Sequence, residues 1–121
     1  MAKTQGLTHL HLAVRDIQRS LSFYEAAFGM KVSFWVGPTM VFLNTPGSSD
    51  LVTLRQAGDH ETVGPGGGFG HFGFRLASKD DLDAAVQDVL AAGGELVERG
   101  EHGPGHPFAY TRDPDGYVIE L

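Results

Sequence analysis

From Leu7 to Val14 the chain alternates with period two, so Leu10, Leu12 and Val14 share one face of a strand and His9, His11 and Ala13 the other. The apolar face calls for a covering helix, and one follows directly. Asp16 is placed to cap its start, Ile17, Leu21, Tyr24 and Phe28 form a stripe at helical spacing, and Gly29 supplies the left-handed stop. Lys31 to Val36, Met40 to Thr45 and Asp50 to Arg55 predict three further strands, separated by Gly37-Pro38 and by Pro46-Gly47-Ser48-Ser49. After an irregular stretch the pattern starts again. Phe72, Phe74 and Leu76 take one face of a strand over Phe69 to Leu76, and His71, Gly73 and Arg75 take the other. Ser78 to Asp81 predicts a capping box, and Leu82, Ala85, Val86 and Val89 a helical stripe ending at Gly93-Gly94. Glu95 to Arg99, Pro107 to Arg112 and Tyr117 to Leu121 complete the strands, the last two joined by the tight turn Asp113-Pro114-Asp115-Gly116.

The two halves therefore match in pattern: strand with histidine on its free face, helix ending in glycine, then three strands. The expected fold class is α+β, with two paired βαβββ modules, neither able to cover its own sheet, forming a curved mixed sheet that encloses a cleft. One domain of 121 residues is expected, with module one over about residues 6–57, a linker over about 58–68 and module two over about 69–121. The linker ends in Gly64-Pro65-Gly66-Gly67-Gly68 and leads into a strand rather than a helix. That placement rejects a phosphate-cradling loop and predicts a flexible connector or a flap.

Composition narrows the function. A formal charge of −6 argues against nucleic acid or an anionic membrane as partner. The absence of cysteine removes disulfides, thiolate ligands and thiol nucleophiles. Met1 to Gln5 is short and polar, no apolar run approaches membrane-spanning length and no signal peptide is visible, so a cytoplasmic protein is expected.

Against that background the polar residues on free strand faces stand out. Glu120 is a carboxylate inside an otherwise apolar final strand and needs water or a bonded partner. His9 and His71 occupy equivalent positions of the repeat. Two imidazoles and one carboxylate make a donor set that holds a divalent ion on one side and leaves other positions open, so His9, His71 and Glu120 are the expected metal ligands. Without thiolates the ion is Fe, Mn, Ni, Co or Zn. His11 shares the His9 face and is expected as a base behind the ligands or a substrate contact.

These motifs resemble a known family. His9, Val14 and Asp16, then Ser22-Phe23-Tyr24 and Phe28-Gly29, then His71-Phe72-Gly73-Phe74, then Asp113-Pro114-Asp115-Gly116 and Glu120, are similar to the vicinal oxygen chelate superfamily over nearly the whole chain. That group includes glyoxalase I, extradiol dioxygenases, fosfomycin-resistance transferases and bleomycin-resistance binding proteins. The resemblance implies the same three ligands, a small substrate held through two adjacent oxygens, and a homodimer in which His9 of one subunit joins His71 and Glu120 of the other. Thr53 falls where glyoxalase I carries a fourth ligand, a glutamate. Gly100-Glu101-His102, Tyr110, Asp113, Pro114, Gly116 and Glu120 follow the order of the extradiol signature, which implies roles for His102 and Tyr110 near the substrate. An extradiol-dioxygenase-like enzyme is accordingly the leading expectation, with a glyoxalase-like lyase or isomerase, or a metal-free drug- or metabolite-binding protein, as alternatives.

Overall fold

The structure, a computed structural model, describes residues 1–121. Its first module runs β1 (Leu10–Val14), α1 (Ile17–Phe28), β2 (Lys31–Val36), β3 (Met40–Asn44) and β4 (Val52–Gln56). The second runs β5 (Phe72–Gly73), a single 3-10 turn (Lys79–Asp81), α2 (Leu82–Ala91), β6 (Glu95–Glu101), β7 (Pro107–Arg112) and β8 (Val118–Glu120). Each module builds a four-stranded mixed sheet, in the orders β1-β4-β3-β2 and β5-β8-β7-β6. The first strand of each is parallel to the last and the other pairings are antiparallel. This is the paired βαβββ arrangement that the repeat predicts.

The helix signals act as their chemistry requires. The Asp16 carboxylate accepts the amides of Gln18 and Arg19, and Gly29 closes α1 in the left-handed conformation. Ser78 and Asp81 form the reciprocal capping box, here on the 3-10 turn that leads into α2. The strand expected over Phe69 to Leu76 joins the sheet only at Phe72 and Gly73. Its partner β8 stops at Glu120, so the ladder ends with the Phe74 amide donating to the Glu120 carbonyl. Likewise β1 begins at Leu10, because β4 begins at Val52.

One apolar core joins the modules. Leu12, Val14, Phe23, Tyr24, Leu43 and Leu54 of the first are packed in a single cluster with Val89, Tyr117 and Ile119 of the second. Helices α1 and α2 lie against each other, and Phe28 stacks on Phe74 at 4.4 Å. The edge strands leave apolar residues uncovered: Phe34, Trp35 and Val36 of β2 and Leu96 and Val97 of β6 are exposed.

The segment expected to be a flexible linker is tied to both modules. The Arg15 guanidinium donates to the carbonyls of Gly58 and Glu61. The Glu61 carboxylate accepts from both terminal nitrogens of Arg55, at 3.0 and 2.6 Å. At Gly64, φ is +91° and an added Cβ would stand 2.6 Å from the Asp115 carbonyl oxygen, so only glycine fits that approach. Glycine-rich composition gave the expectation of looseness; the ionic and carbonyl contacts of two arginines overrule it.

Candidate metal centre

On the open face of the second sheet, the register sets Glu120 of β8 between Gly73 of β5 and Tyr110 of β7. Gly73 matters for space: an added Cβ would meet the Glu120 carbonyl at 3.1 Å and its Cβ at 3.5 Å. His71, just ahead of β5, brings Nε2 to 3.1 Å from Glu120 Oε2. His102, just past β6, brings Nε2 to 2.7 Å from Glu120 Oε1. Aromatic packing fixes both rings: His71 stands edge-on to Tyr110 at 5.1 Å, and His102 stacks on Phe108 at 4.1 Å. Hydrogen bonding from His102, followed by the nearby charges of His102 and His71, holds the Glu120 carboxyl below the usual range.

His9 and His11 lie on the other sheet. His9, just ahead of β1, is exposed, with Nδ1 at 2.8 Å from the Thr8 hydroxyl and its ring 5.9 Å from Phe42. His11 Nε2 accepts from Arg55 Nε at 3.2 Å, and burial followed by the Arg55 charge pushes its pKa down. A neutral His11 with Nε2 occupied carries its proton on Nδ1. Beside His11 in the ladder, Thr53 is wholly buried and its hydroxyl has no partner.

The chain thus brings together His71, His102, Tyr110 and Glu120, and keeps His9 and His11 apart from them. Within one chain no three His, Asp or Glu side chains stand in a metal-holding arrangement. His71 and His102 each address a different oxygen of the same carboxylate. Chemically the residues fit a divalent ion, since imidazole nitrogen and carboxylate oxygen are donors that borderline metals accept.

Sequence reasoning missed the direct His102–Glu120 bond, although the pairing of Glu101 with Pro107 in the β6–β7 hairpin carries His102 towards the sheet face. It also missed the Arg55–Glu61 pair behind His11. No sequence signal marks that contact, because Glu61 lies in the irregular segment.

A family model described as Glyoxalase/Bleomycin resistance protein/Dioxygenase superfamily matches residues 6–121. The chain belongs to this superfamily. Within it, the lactoylglutathione lyase of Neisseria meningitidis is 31% identical over 125 residues, covering 95% of this chain and 88% of that protein. The lactoylglutathione lyase of Arabidopsis thaliana is 31% identical over 124 residues, covering 93% of this chain. The chain spans 42% of the length of that plant relative. Among solved structures, a mutant of the fosfomycin resistance protein FosX from Listeria monocytogenes, complexed with Mn(II) and a dihydroxypropylphosphonic acid, has a TM-score of 0.78. It is 19% identical, with 98% of this chain and 90% of that chain covered, a likeness that establishes the shared fold.

Proposed function

We propose that the protein is a metal-dependent enzyme that holds a small substrate through two adjacent oxygens and carries out glyoxalase-like lyase or isomerase chemistry. The observation that carries this reading is Glu120 on an open sheet face with an imidazole nitrogen at each oxygen, 3.1 and 2.7 Å away. A carboxylate so placed, 27% exposed, is poised to exchange one imidazole hydrogen bond for a metal bond. His71 and Glu120 of one copy and His9 of a second copy would hold the ion. The absence of a three-residue metal-holding group within one chain and the exposed apolar residues of β2 and β6 support a homodimer as the complete unit. When bound, the ion supplies Lewis-acid polarisation of the substrate oxygens.

The remaining residues have roles in this arrangement. His102 orients Glu120 by hydrogen bonding to Oε1, while its stack on Phe108 keeps the imidazole in place. Tyr110 forms the wall beside His71. His11, fixed by Arg55, presents Nδ1–H as a hydrogen-bond donor on the opposite face. Thr53, in place of the glutamate that glyoxalase I carries there, departs from that enzyme's ligand set, whereas the similarity to lactoylglutathione lyases supports the broader lyase or isomerase class.

The deciding experiment titrates chelator-stripped protein with Mn(II), Ni(II), Co(II), Zn(II) and, anaerobically, Fe(II), following thermal unfolding. A midpoint that rises with ion concentration in the wild type and stays fixed in His71→Ala is expected. No shift with any ion would overturn the enzyme reading in favour of a metal-free binding protein.

A second reading, an extradiol dioxygenase, is favoured by one observation: His102 and Tyr110, both named by that signature, sit against the His71–Glu120 pair. Oxygen uptake by the Fe(II)-loaded protein with catechol distinguishes it from binding of lactoylglutathione by the Ni(II)- or Zn(II)-loaded form.

A further inference from the structure

A cleft of about 690 Å³ opens beside Glu120, walled by the β5–α2 connection on one side and the loop after β6 on the other. Its lining includes Arg75, Lys79, His102, His106 and Phe108. For a chain of net charge −6 this concentration of basic groups is unusual. Of the nine lysines and arginines, Arg19, Arg55, Arg99 and Arg112 are paired with carboxylates and Arg15 is held by carbonyls. Lys3, Lys31, Arg75 and Lys79 have no such partner, and of these Arg75 and Lys79 line this one cleft. The single acidic side chain lining it, Glu120, is already engaged by two imidazoles. Asp80 and Asp83 lie in a separate recess on the other side of Lys79, where Arg99 takes Asp83.

The surrounding backbone gives the cleft a defined rim. The His102 amide donates to the His106 carbonyl at 3.1 Å and the His106 amide to Gly103 at 2.9 Å, closing the loop on itself. Lys79 reaches across to this loop: a methyl group added at Gly105 would lie 3.8 Å from Nζ. Arg75 lies two residues beyond Gly73, the position that pairs with Glu120.

We propose that Arg75 and Lys79, with His106 on the neighbouring loop, form a subsite for a compact anionic group, a carboxylate or a phosphoryl group, at the far end of the substrate whose adjacent oxygens meet the centre at Glu120. The inference deepens the proposed function by giving its substrate a charge and a direction. An arginine supplies two parallel donors to such a group and the lysine a mobile point charge. The open, screened position of both makes the gain modest, which suits a group that orients the substrate rather than one that traps it.

The test uses the full chain and separates the two readings. Metal-free protein is titrated with succinate and, separately, with inorganic phosphate, following backbone amide chemical shifts. Saturable shifts confined to residues 73–79 and 102–106, absent from an Arg75→Gln/Lys79→Gln variant, are expected with one anion or both, and the anion that binds identifies the group. Both side chains are exposed and unengaged, so the variant keeps the wild-type fold, which circular dichroism checks. No shifts with either anion, or shifts that persist in the variant, overturn the subsite. On metal-loaded protein, succinic monohydroxamate is expected to bind about three- to tenfold more tightly than acetohydroxamate, an advantage the variant loses. If neither hydroxamate binds, the metal reading fails while the anion titrations still decide the subsite.

Discussion

Asp113 is the enclosed carboxylate of the chain, 4% exposed, and it faces partners on every side. Its Oδ2 accepts the Tyr24 hydroxyl at 2.8 Å, and its Oδ1 accepts the amides of Asp115 and Tyr117 at 3.0 and 2.9 Å. Burial pushes its pKa up, against the pull of these three hydrogen bonds. Its folded pKa therefore lies above the unfolded value of 3.8, so its contribution to stability is full below that value and is lost as pH rises through the folded pKa. Removing the Tyr24 hydroxyl takes away a bond that favours the ionised form. Tyr24→Phe is thus expected to cost about 1.5–3 kcal/mol in urea unfolding at neutral pH, with a smaller cost in acid where Asp113 is protonated. A cost that does not vary with pH would show that Asp113 is not ionised against Tyr24. Thr53 presents the opposite case, a buried hydroxyl with nothing to bond. Thr53→Val keeps the shape and removes an unmet polar group, so the metal-free protein should gain about 1 kcal/mol in the same measurement.

Among the elements, the pieces that were legible in the sequence are those whose signals are local. Asp16 and Gly29 bound α1 because capping and a left-handed stop need only near neighbours. The strands were legible through alternation, except where length depends on a partner: Arg75 and Leu76 alternate like strand residues but have no β8 beyond Glu120 to pair with. His71 and Glu120 were legible as a pair because both break an apolar strand pattern. Tyr24 looked like one more member of a helical stripe, and nothing near it names Asp113 as its partner. The 58–68 segment was misleading for a related reason, since its glycines are local and its anchor Arg55 is on another strand. That anchoring is testable. Glu61, held down to a pKa of about 2 chiefly by its bonds to Arg55, should keep the segment in place under acid conditions that protonate an ordinary glutamate. Its folded pKa is depressed, so its stabilising effect is present above the unfolded value of 4.5 and disappears as pH falls through about 2. Glu61→Gln should speed amide exchange and proteolysis across residues 58–68 at neutral pH, and unchanged rates would remove the anchor's role.

For the molecule as a whole, the separation of His9 from His71 and Glu120 makes assembly part of the chemistry proposed. Inactive His9→Ala and Glu120→Ala chains, coexpressed, should recover about a quarter of wild-type activity if random pairing leaves one intact site in half of the dimers. No recovery beyond either chain alone would remove the shared site. Trp35→Glu, on the exposed strip of β2, should shift sedimentation towards a monomer and abolish metal-dependent stabilisation together.

The clamp of the Asp113–Tyr117 turn on α1 also governs when the protein can fold. Tyr24 meets Asp113 across 89 positions, and Ser20 meets Asp115 across 95. Contacts of that reach close late, after the costly ordering of everything between them. On the ribosome α1 emerges long before the turn that will receive it, so the nascent first module waits with Tyr24 unsealed and its apolar stripe only partly covered. Translation speed through the second module therefore sets how long that stripe is open to chaperones or to other chains.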